Sequence, residues 1–335
     1  MVAYSSPINN VSFRLLAASV RLLSAERDMF ASGKRRCRFE MEVDEGMNNA
    51  RLAAASLTVF LINLDRAGDR LAAMQAKLQG SGLSFERVAA VDGNSIDFPT
   101  PKFSEISFRF MHGRRRNPGE IGCYLSHIEC ARRLLASQNE FALILEDDLE
   151  FPPDLVDILE AALEQDARWD ILRLSSVSAG RKFDFCKLTE SRSLAIALTR
   201  EKGSGAYLIN RRAARWFVEK LLPMRLPFDL AFDLEFFRGL KSAFVTPVPI
   251  NQQLGLPSQI QGLRQRRRYH RSRAHYLTVI PCRAFIEASR LLTRTPRLVA
   301  LLLQSRIAAT RRRHRELGAE IMASLNGTTQ LGDPQ

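Results

Sequence analysis

The clearest pattern of apolar and polar positions begins at Leu57. Residues 57–64 (LTVFLINL) form an apolar, β-branched run with no helical period, which predicts a buried strand. Leu71, Met74 and Leu78 then recur at helical spacing. They predict a helix over about 67–79, with Asp65 as a candidate cap and Gly80 and Gly82 at its end. Residues 83–91 read as a second strand stopped by the turn signal Asp92-Gly93. Residues 98–117 show neither period and carry Pro99, Pro101 and the basic patch Arg114 to Arg116. A helix over 119–137, a buried strand at 141–145, a helix opened by Pro152-Pro153 and a short strand at 170–174 follow. Residues 175–202 form a polar, basic insert. Beyond it come a strand at 206–209, helices at 211–222 and 230–239, and a late strand at 243–249. Strands alternating with helices predict an α/β sandwich with a largely parallel sheet.

The two ends differ from this middle. Residues 1–55 mix a short apolar stretch (Leu15, Leu16, Val20, Leu22, Leu23) with a polar segment, and read as a weakly structured extension. Arg14 and Arg21 interrupt the apolar stretch, which does not look like a secretory signal. The organisation expected is therefore an extension over 1–55, a catalytic-type domain over 56–260 and a basic helical region over 261–335. Charge supports that division. Residues 261–317 hold fifteen arginines, no lysine and two acids, a net of +13 that equals the charge of the whole chain. The body is neutral and the tail is basic, unlike a uniformly basic nucleic-acid binder. The longest apolar run near the C-terminus, residues 298–303, is far short of the ~20 residues a membrane span needs. Five cysteines without a CxxC pair fit reduced, buried thiols better than a zinc ribbon or a disulfide framework.

Three clusters carry candidate chemistry. Residues 141–148 (FALILEDD) end an apolar strand in Glu146, Asp147 and Asp148. Adjacent carboxylates repel, and a hard divalent cation such as Mg²⁺ or Mn²⁺ is a common remedy. A solvated acidic loop ahead of the next helix is the alternative. Asp229, Asp233 and Glu235 lie in an aromatic-rich segment (PFDLAFDLEFF). Asp229 and Asp233, four apart, would share a helix face. Burial among Phe and Leu would raise their pKa toward that of a general base; helix polarity and an N-cap would explain the same acids. Asn63-Leu64-Asp65-Arg66, with Arg70, follows the first strand, where polar groups often face a ligand and an arginine such as Arg70 can grip phosphate, although a structural cap and surface arginines would explain the same residues. Gly203-Ser204-Gly205 would let the backbone approach a ligand. His127 stands beside Ser126 on a predicted helix. No GxSxG, Walker or HExxH pattern occurs.

In order, five blocks resemble glycosyltransferase family 25, which includes lipooligosaccharide galactosyltransferases and relatives of the collagen galactosyltransferases. They are VFLINLDRAGDR (59–70), FERVAAVDG (85–93), GEIGCYLSH (119–127), ALILEDD (142–148) and GSGAYLINR (203–211), with Pro227 to Asp229 after them. The resemblance implies a GT-A-like fold with a Rossmann-type nucleotide-sugar half. It implies inverting transfer, typically from UDP-galactose, to an oligosaccharide or lipid-linked glycan. Carried over by motif position, Asn63, Asp65, Arg70, Asp92, Glu146, Asp147 and His127 would face the nucleotide sugar. Asp148 with Glu146 would hold Mn²⁺ or Mg²⁺, with Asp147 the alternative to Asp148. Asp229 would be the base and Asp233 the second choice. A metal-dependent phosphotransferase or pyrophosphatase, or a degenerate transferase acting as an adaptor, would use the same features.

The tail adds an expectation of its own. Arg264 to Arg268 and Arg311 to Arg315 flank an apolar series comprising Leu277, Ile280, Phe285, Leu291, Leu292, residues 298–303 and Ile307. Such segments bind anionic membrane surfaces, or cap a domain with a solvated basic face. The chain is thus expected to be cytoplasmic and peripheral on the inner face of a bacterial inner membrane. Nucleic acid is not expected as a partner, since the tail offers few aromatics for stacking.

Overall fold

The structure, a computed structural model, describes residues 56–178, 180–252 and 276–328. The expectations for 1–55 and for Arg264 to Arg268 lie outside these residues. The described elements are β1 (Leu57–Asn63), α1 (Gly68–Gly80), β2 (Glu86–Ala89), α2 (Glu105–His112), α3 (Pro118–Ala136), β3 (Phe141–Leu145), β4 (Leu149–Glu150) and α4 (Leu155–Glu164). They continue with β5 (Ile171–Arg173), β6 (Lys182–Lys187), β7 (Ser193–Ala197), β8 (Ala206–Asn210), α5 (Arg211–Lys220), α6 (Phe228–Ala231), β9 (Ser242–Thr246), β10 (Asn251–Gln252) and α7 (Tyr276–Thr328).

Eight strands form one sheet in the order β2-β1-β3-β8-β5-β9-β7-β6. Following the pairings across it, six strands point one way, while β8 and β7 run against them. The sheet is therefore mostly parallel in direction, as the alternating pattern predicts. Period-two alternation assigns each strand a side chain for either face. Phe60, Ile62, Ala142, Ile144, Tyr207 and Ile209 pack on one side with α3 and α5. Val59, Leu61, Leu143, Leu145 and Leu208 pack on the other with α1 and α4.

The topology positions a site. From β1 the chain crosses through α1 to β2 on one flank, then through α2 and α3 to β3 on the other. Strand order reverses at β1, so a crevice opens beyond the carboxyl ends of β1 and β3, where open α/β sheets bind ligands.

Three local expectations are corrected. Asp65 does not cap α1: that helix starts at Gly68 without a side-chain cap, and Asp65 accepts from Arg87 at 2.5 Å. The segment 98–117 contains α2, capped by Ser104 and stopped by Gly113 in the left-handed conformation. The polar insert at 175–202 is a hairpin, β6–β7, that joins the far edge of the sheet.

Within the tail, residues 276–328 are helical, as expected, but among the described side chains the apolar and basic faces are not arranged as the sequence suggests. α7 runs through Pro281 and Pro296, packing against α2, β6, β7 and the 3₁₀ turn Phe232–Arg238. The side it turns to the domain carries arginines. Arg290 donates to Asp233 Oδ2 at 2.9 Å, and Arg294 donates to Asp233 Oδ1 at 2.9 Å and Glu235 Oε1 at 2.8 Å. Arg297 donates to the carbonyls of Ser242 and Arg168. From the sheet side, Arg173 approaches Asp233 Oδ1 at 3.4 Å. All five charged side chains of this cluster, Arg173, Asp233, Glu235, Arg290 and Arg294, are at most 3% exposed. Burial alone would depress the Arg294 pKa, but Glu235 and Asp233 raise it above its ordinary value. Removing one member of a buried ion cluster strands the others. Arg294→Ala should therefore cost about 3–5 kcal/mol of unfolding free energy in a denaturant titration. A cost below about 1 kcal/mol would place this cluster in contact with solvent.

Candidate active site

The crevice at the carboxyl ends of β1 and β3 is a cavity of about 250 Å³. Its walls come from the end of β1 (Asn63), the turn after it (Arg66), the first turn of α1 (Arg70), the turn after β2 (Asp92, Gly93), the start of α3 and the acids Glu146, Asp147 and Asp148. The start of α3 brings the partial positive charge of a helix N-terminus to this wall, although Pro118 has no N–H and the Gly119 N–H is taken by Asn117 Oδ1 at 3.1 Å.

Two glycines permit this close assembly. A Cβ on Gly93 would lie 1.8 Å from the Pro118 carbonyl oxygen, and one on Gly122 would lie 2.3 Å from that of Val91. Ser126 fastens the same contact, accepting from the Val91 N–H at 2.9 Å and donating to the Gly122 carbonyl at 2.8 Å. α3 is thus held against the turn that carries Asp92. Asp92 accepts from the Asn94 N–H at 3.0 Å and pairs with Arg66. The Asn94 N–H holds the Asp92 pKa below its ordinary value, despite slight desolvation, and Arg66 adds to the effect.

The three consecutive acids meet three different environments. Glu146 is clasped from both sides. Ser204 Oγ donates to it at 2.9 Å, and Nε2 of the fully buried His127 stands 3.3 Å from Oε1. Burial works to raise the Glu146 pKa, but His127 and Ser204 bring it below the ordinary value. Asp147 accepts from Asn63 Nδ2 at 2.8 Å and from Arg70 at 2.9 Å. Asp148 lies 4.0 Å from Arg70, and its buried Oδ1 has no hydrogen-bond partner. Burial, reinforced by the charge of Glu146 and opposed by Arg70, pushes its pKa up to about 6.

A fourth donor set overlaps the first. Cys123 and His127 are one turn apart on α3 and face Glu146. Their ligand atoms lie within 4.8 Å of one another, a set that could hold a metal ion. The residues therefore fit a divalent cation: Glu146, His127 and Cys123 offer converging ligand atoms, and the orphaned oxygen of Asp148 belongs to the lining of the same cavity. Burial and then the charges of Glu146 and Asp229 raise the Cys123 thiol pKa well above its ordinary value.

His127 is itself fixed by neighbours. Its Nδ1 is 2.9 Å from the Tyr207 hydroxyl, and its ring stacks on Phe228 at 4.1 Å. Phe228 opens α6, so this stack sets where the next residue, Asp229, lies. Asp229 is beside the cavity rather than on its lining. It is hydrogen-bonded by the Gly203 backbone and close enough to Glu146 to feel its charge. Burial raises its pKa, with the Gly203 bond and the charges of Arg173 and Lys202 opposing.

The structure brings together Asn63, Arg70, Asp92, His127, Glu146, Asp147 and Asp148, with Asp229 adjacent. Two other candidates lie elsewhere. Asp65 is on the outer rim, with its side chain 80% exposed. Asp233 lies in the buried arginine cluster and does not line the cavity. The expected shared helix face fails because α6 lasts only four residues and tightens into the 3₁₀ turn. At three residues per turn, positions four apart no longer superpose. The Gly203-Ser204-Gly205 segment approaches Glu146 rather than an open subsite: Ser204 supplies the hydroxyl, and the Gly205 carbonyl accepts from the Glu146 N–H at 2.8 Å.

Sequence reasoning missed Cys123 and Gln252, and it named Ser126 and Ser204 without the hydrogen-bonding roles they have here. Cys123 had a signal, its spacing of four from His127. Gln252 had none, because it reaches the cavity through the two-residue ladder between β10 and β4.

Residues 56–232 match the family model for glycosyltransferase family 25 (LPS biosynthesis protein). The chain belongs to glycosyltransferase family 25. It is 35% identical over 102 residues to a glycosyltransferase 25 family member of Drosophila pseudoobscura pseudoobscura, covering 28% of this chain and 16% of that one. It is 27% identical over 125 residues to procollagen galactosyltransferase 1 of Danio rerio, covering 34% and 20%. The matched segment thus spans a fifth or less of either relative. The chain is also similar to a Bacillus anthracis crystal structure described as a glucose-1-phosphate thymidylyltransferase in complex with sucrose. That likeness has a TM-score of 0.32 and 12% identity over 71% of this chain and 79% of the other, too slight to carry an argument.

Asp148 gives the site a pH signature. A carboxyl whose folded pKa exceeds its unfolded value holds its proton more tightly when folded. Its contribution to stability is full below the ordinary value of 3.8 and is lost as pH rises through about 6. In chelator-treated protein, Asp148→Asn should flatten the decline in stability across that interval. Superposable profiles for the two proteins would show Asp148 to be solvated.

Proposed function

We propose that this chain is an inverting, cation-dependent glycosyltransferase. It moves a sugar, galactose from UDP-galactose, to an oligosaccharide or lipid-linked glycan acceptor in cell-envelope synthesis. It works in the cytoplasm, peripherally on the inner face of a bacterial inner membrane. The observation that carries the reading is the orphaned carboxylate oxygen of Asp148 in a cavity that Glu146 and His127 also line, with the buried Asp229 beside it.

The parts divide the work. Asp148, Glu146 and His127 would hold the cation, with Asp147 kept out of that role by Asn63 and Arg70. Carboxylate and imidazole donors together suit Mn²⁺ better than Mg²⁺, which favours oxygen alone. When bound, the cation neutralises charge on the departing diphosphate. Arg66 adds a donor and positive charge on the same wall, and the start of α3 adds the partial positive charge of a helix N-terminus. Ser204 and Tyr207 keep Glu146 and His127 in register.

Asp229 would accept the acceptor hydroxyl proton as that oxygen bonds to the anomeric carbon. The bond from that carbon to the diphosphate oxygen breaks on the opposite side, and the electron pair leaves with UDP. A base near neutral pH needs a raised carboxyl pKa, and burial moves Asp229 that way. The support for galactose is the galactosyltransferase name of a relative.

The first test is thermal stabilisation by a panel of nucleotide sugars, with and without Mn²⁺. A bound ligand at 100 times its Kd stabilises by ~2.7 kcal/mol. Mn²⁺-dependent stabilisation by a UDP-sugar is expected, and no response from folded protein would sink the reading. Asp229→Asn should keep that response while losing transfer by about 10²–10⁴-fold. Asp233→Asn should instead lower stability, consistent with its place in the arginine cluster.

A further inference from the structure

α7 is amphipathic in an inverted sense. Its domain-facing side buries Arg290 and Arg294 together with Val279 and Leu298. Its outward side presents Leu277 (82% exposed), Leu292 (76%) and Phe285 (65%), with Ile280, Leu303 and Ile307 all more than half exposed. Among the described residues from Tyr276 to Ile307, Arg306 is the one exposed charged residue, the others being half-buried or buried. An apolar face of this extent marks an interaction surface.

Two occupants would cover it, a lipid surface or a second copy of the chain. Charge decides between them. The segment that contains this face, residues 261–317, carries fifteen arginines against two acids, while the remainder of the chain is neutral overall. Arg290 and Arg294 are met by Asp233 and Glu235, but the other arginines still outnumber the acids of the segment, so two copies meeting there would set like charge against like. An anionic bilayer meets the same segment with opposite charge and receives the apolar side chains in its interfacial layer. The helix would lie along that layer, since no described helix is long and apolar enough to cross a membrane.

We propose that the outward face of α7 is a docking surface for an anionic lipid bilayer. The proposal deepens the transferase reading by naming how the chain reaches a lipid-linked acceptor, but lipid binding itself stands independently of sugar transfer.

The test is co-sedimentation of the full chain with vesicles of phosphatidylcholine alone or with about 30 mol % phosphatidylglycerol, at low and high salt. The Leu292→Glu/Leu303→Glu double variant changes two outward side chains, so the fold is expected to survive; circular dichroism and the nucleotide-sugar thermal shift check this. Binding to the anionic vesicles is expected, weakened by salt and by at least about tenfold in the variant. Equal binding by the variant would overturn the proposal, as would failure of the wild type to bind. A solution dimer that the variant dissociates, without vesicle binding, would assign the face to a second copy. A normal nucleotide-sugar shift beside failed vesicle binding would leave the transferase reading intact and remove only the docking surface.

Discussion

Three carboxylates leave the end of β3 side by side, and the architecture around them answers the resulting repulsion. Charges a few ångströms apart inside a protein cannot all persist without counter-charge or hydrogen bonds. Glu146 has His127 and Ser204, and Asp147 has Asn63 and Arg70. These partners come from α3, the loop before β8, the end of β1 and α1. The elements that pack against β3 are also those that neutralise its end. Asp148 is left with an unmatched buried oxygen. The fold therefore concentrates its electrostatic deficit at one atom, at the switch point of strand order, where a cation and an anionic ligand can enter together.

The second acidic cluster shows the opposite solution. Asp233 and Glu235 are also buried, yet arginines from two directions saturate them. Arg173 links the clusters, donating to the Gly203 carbonyl at 2.6 Å while approaching Asp233. The Gly203 backbone in turn hydrogen-bonds Asp229. The same guanidinium that closes the α7 interface thus braces the loop beside the cavity. This is a contiguous set of contacts and explains placement; coupling between the two ends requires a two-state element, which no contact here supplies.

Much of this was legible in the sequence because apolar period and position survive folding. The strand 141–145 and the helix over 119–137 agree with β3 and α3 to within a residue. The acids of FALILEDD and the histidine of GEIGCYLSH converge as the resemblance implies. What failed depended on tertiary context. Asp65 could not be told from a ligand-facing acid, because Arg87 neutralises it from β2. The hairpin β6–β7 read as a polar insert because charged residues such as Lys182, Asp184, Lys187 and Arg192 interrupt its apolar positions and a bulge breaks its register. Asp229 and Asp233 looked equivalent because spacing alone assumes 3.6 residues per turn, and the turn from α6 into 3₁₀ geometry parts them.

The tail shows why amphipathicity does not fix which face docks. Hydropathy favours burying leucines, since each returns apolar surface to a dry environment. Burying arginines is costly unless every charge is met. The domain surface under α7 offers Asp233, Glu235 and the carbonyls of Ala197, Ser242 and Arg168, so the charges are met there. Once those acids are committed, the helix can satisfy them only by turning its basic side inward. Leu298 still reaches the core, but Leu277, Leu291, Leu292, Leu302 and Leu303 are left facing outward. The partner that decides the orientation lies more than fifty residues away in sequence, beyond the reach of any local periodicity, and the exposed apolar face follows from the acids rather than from the helix itself.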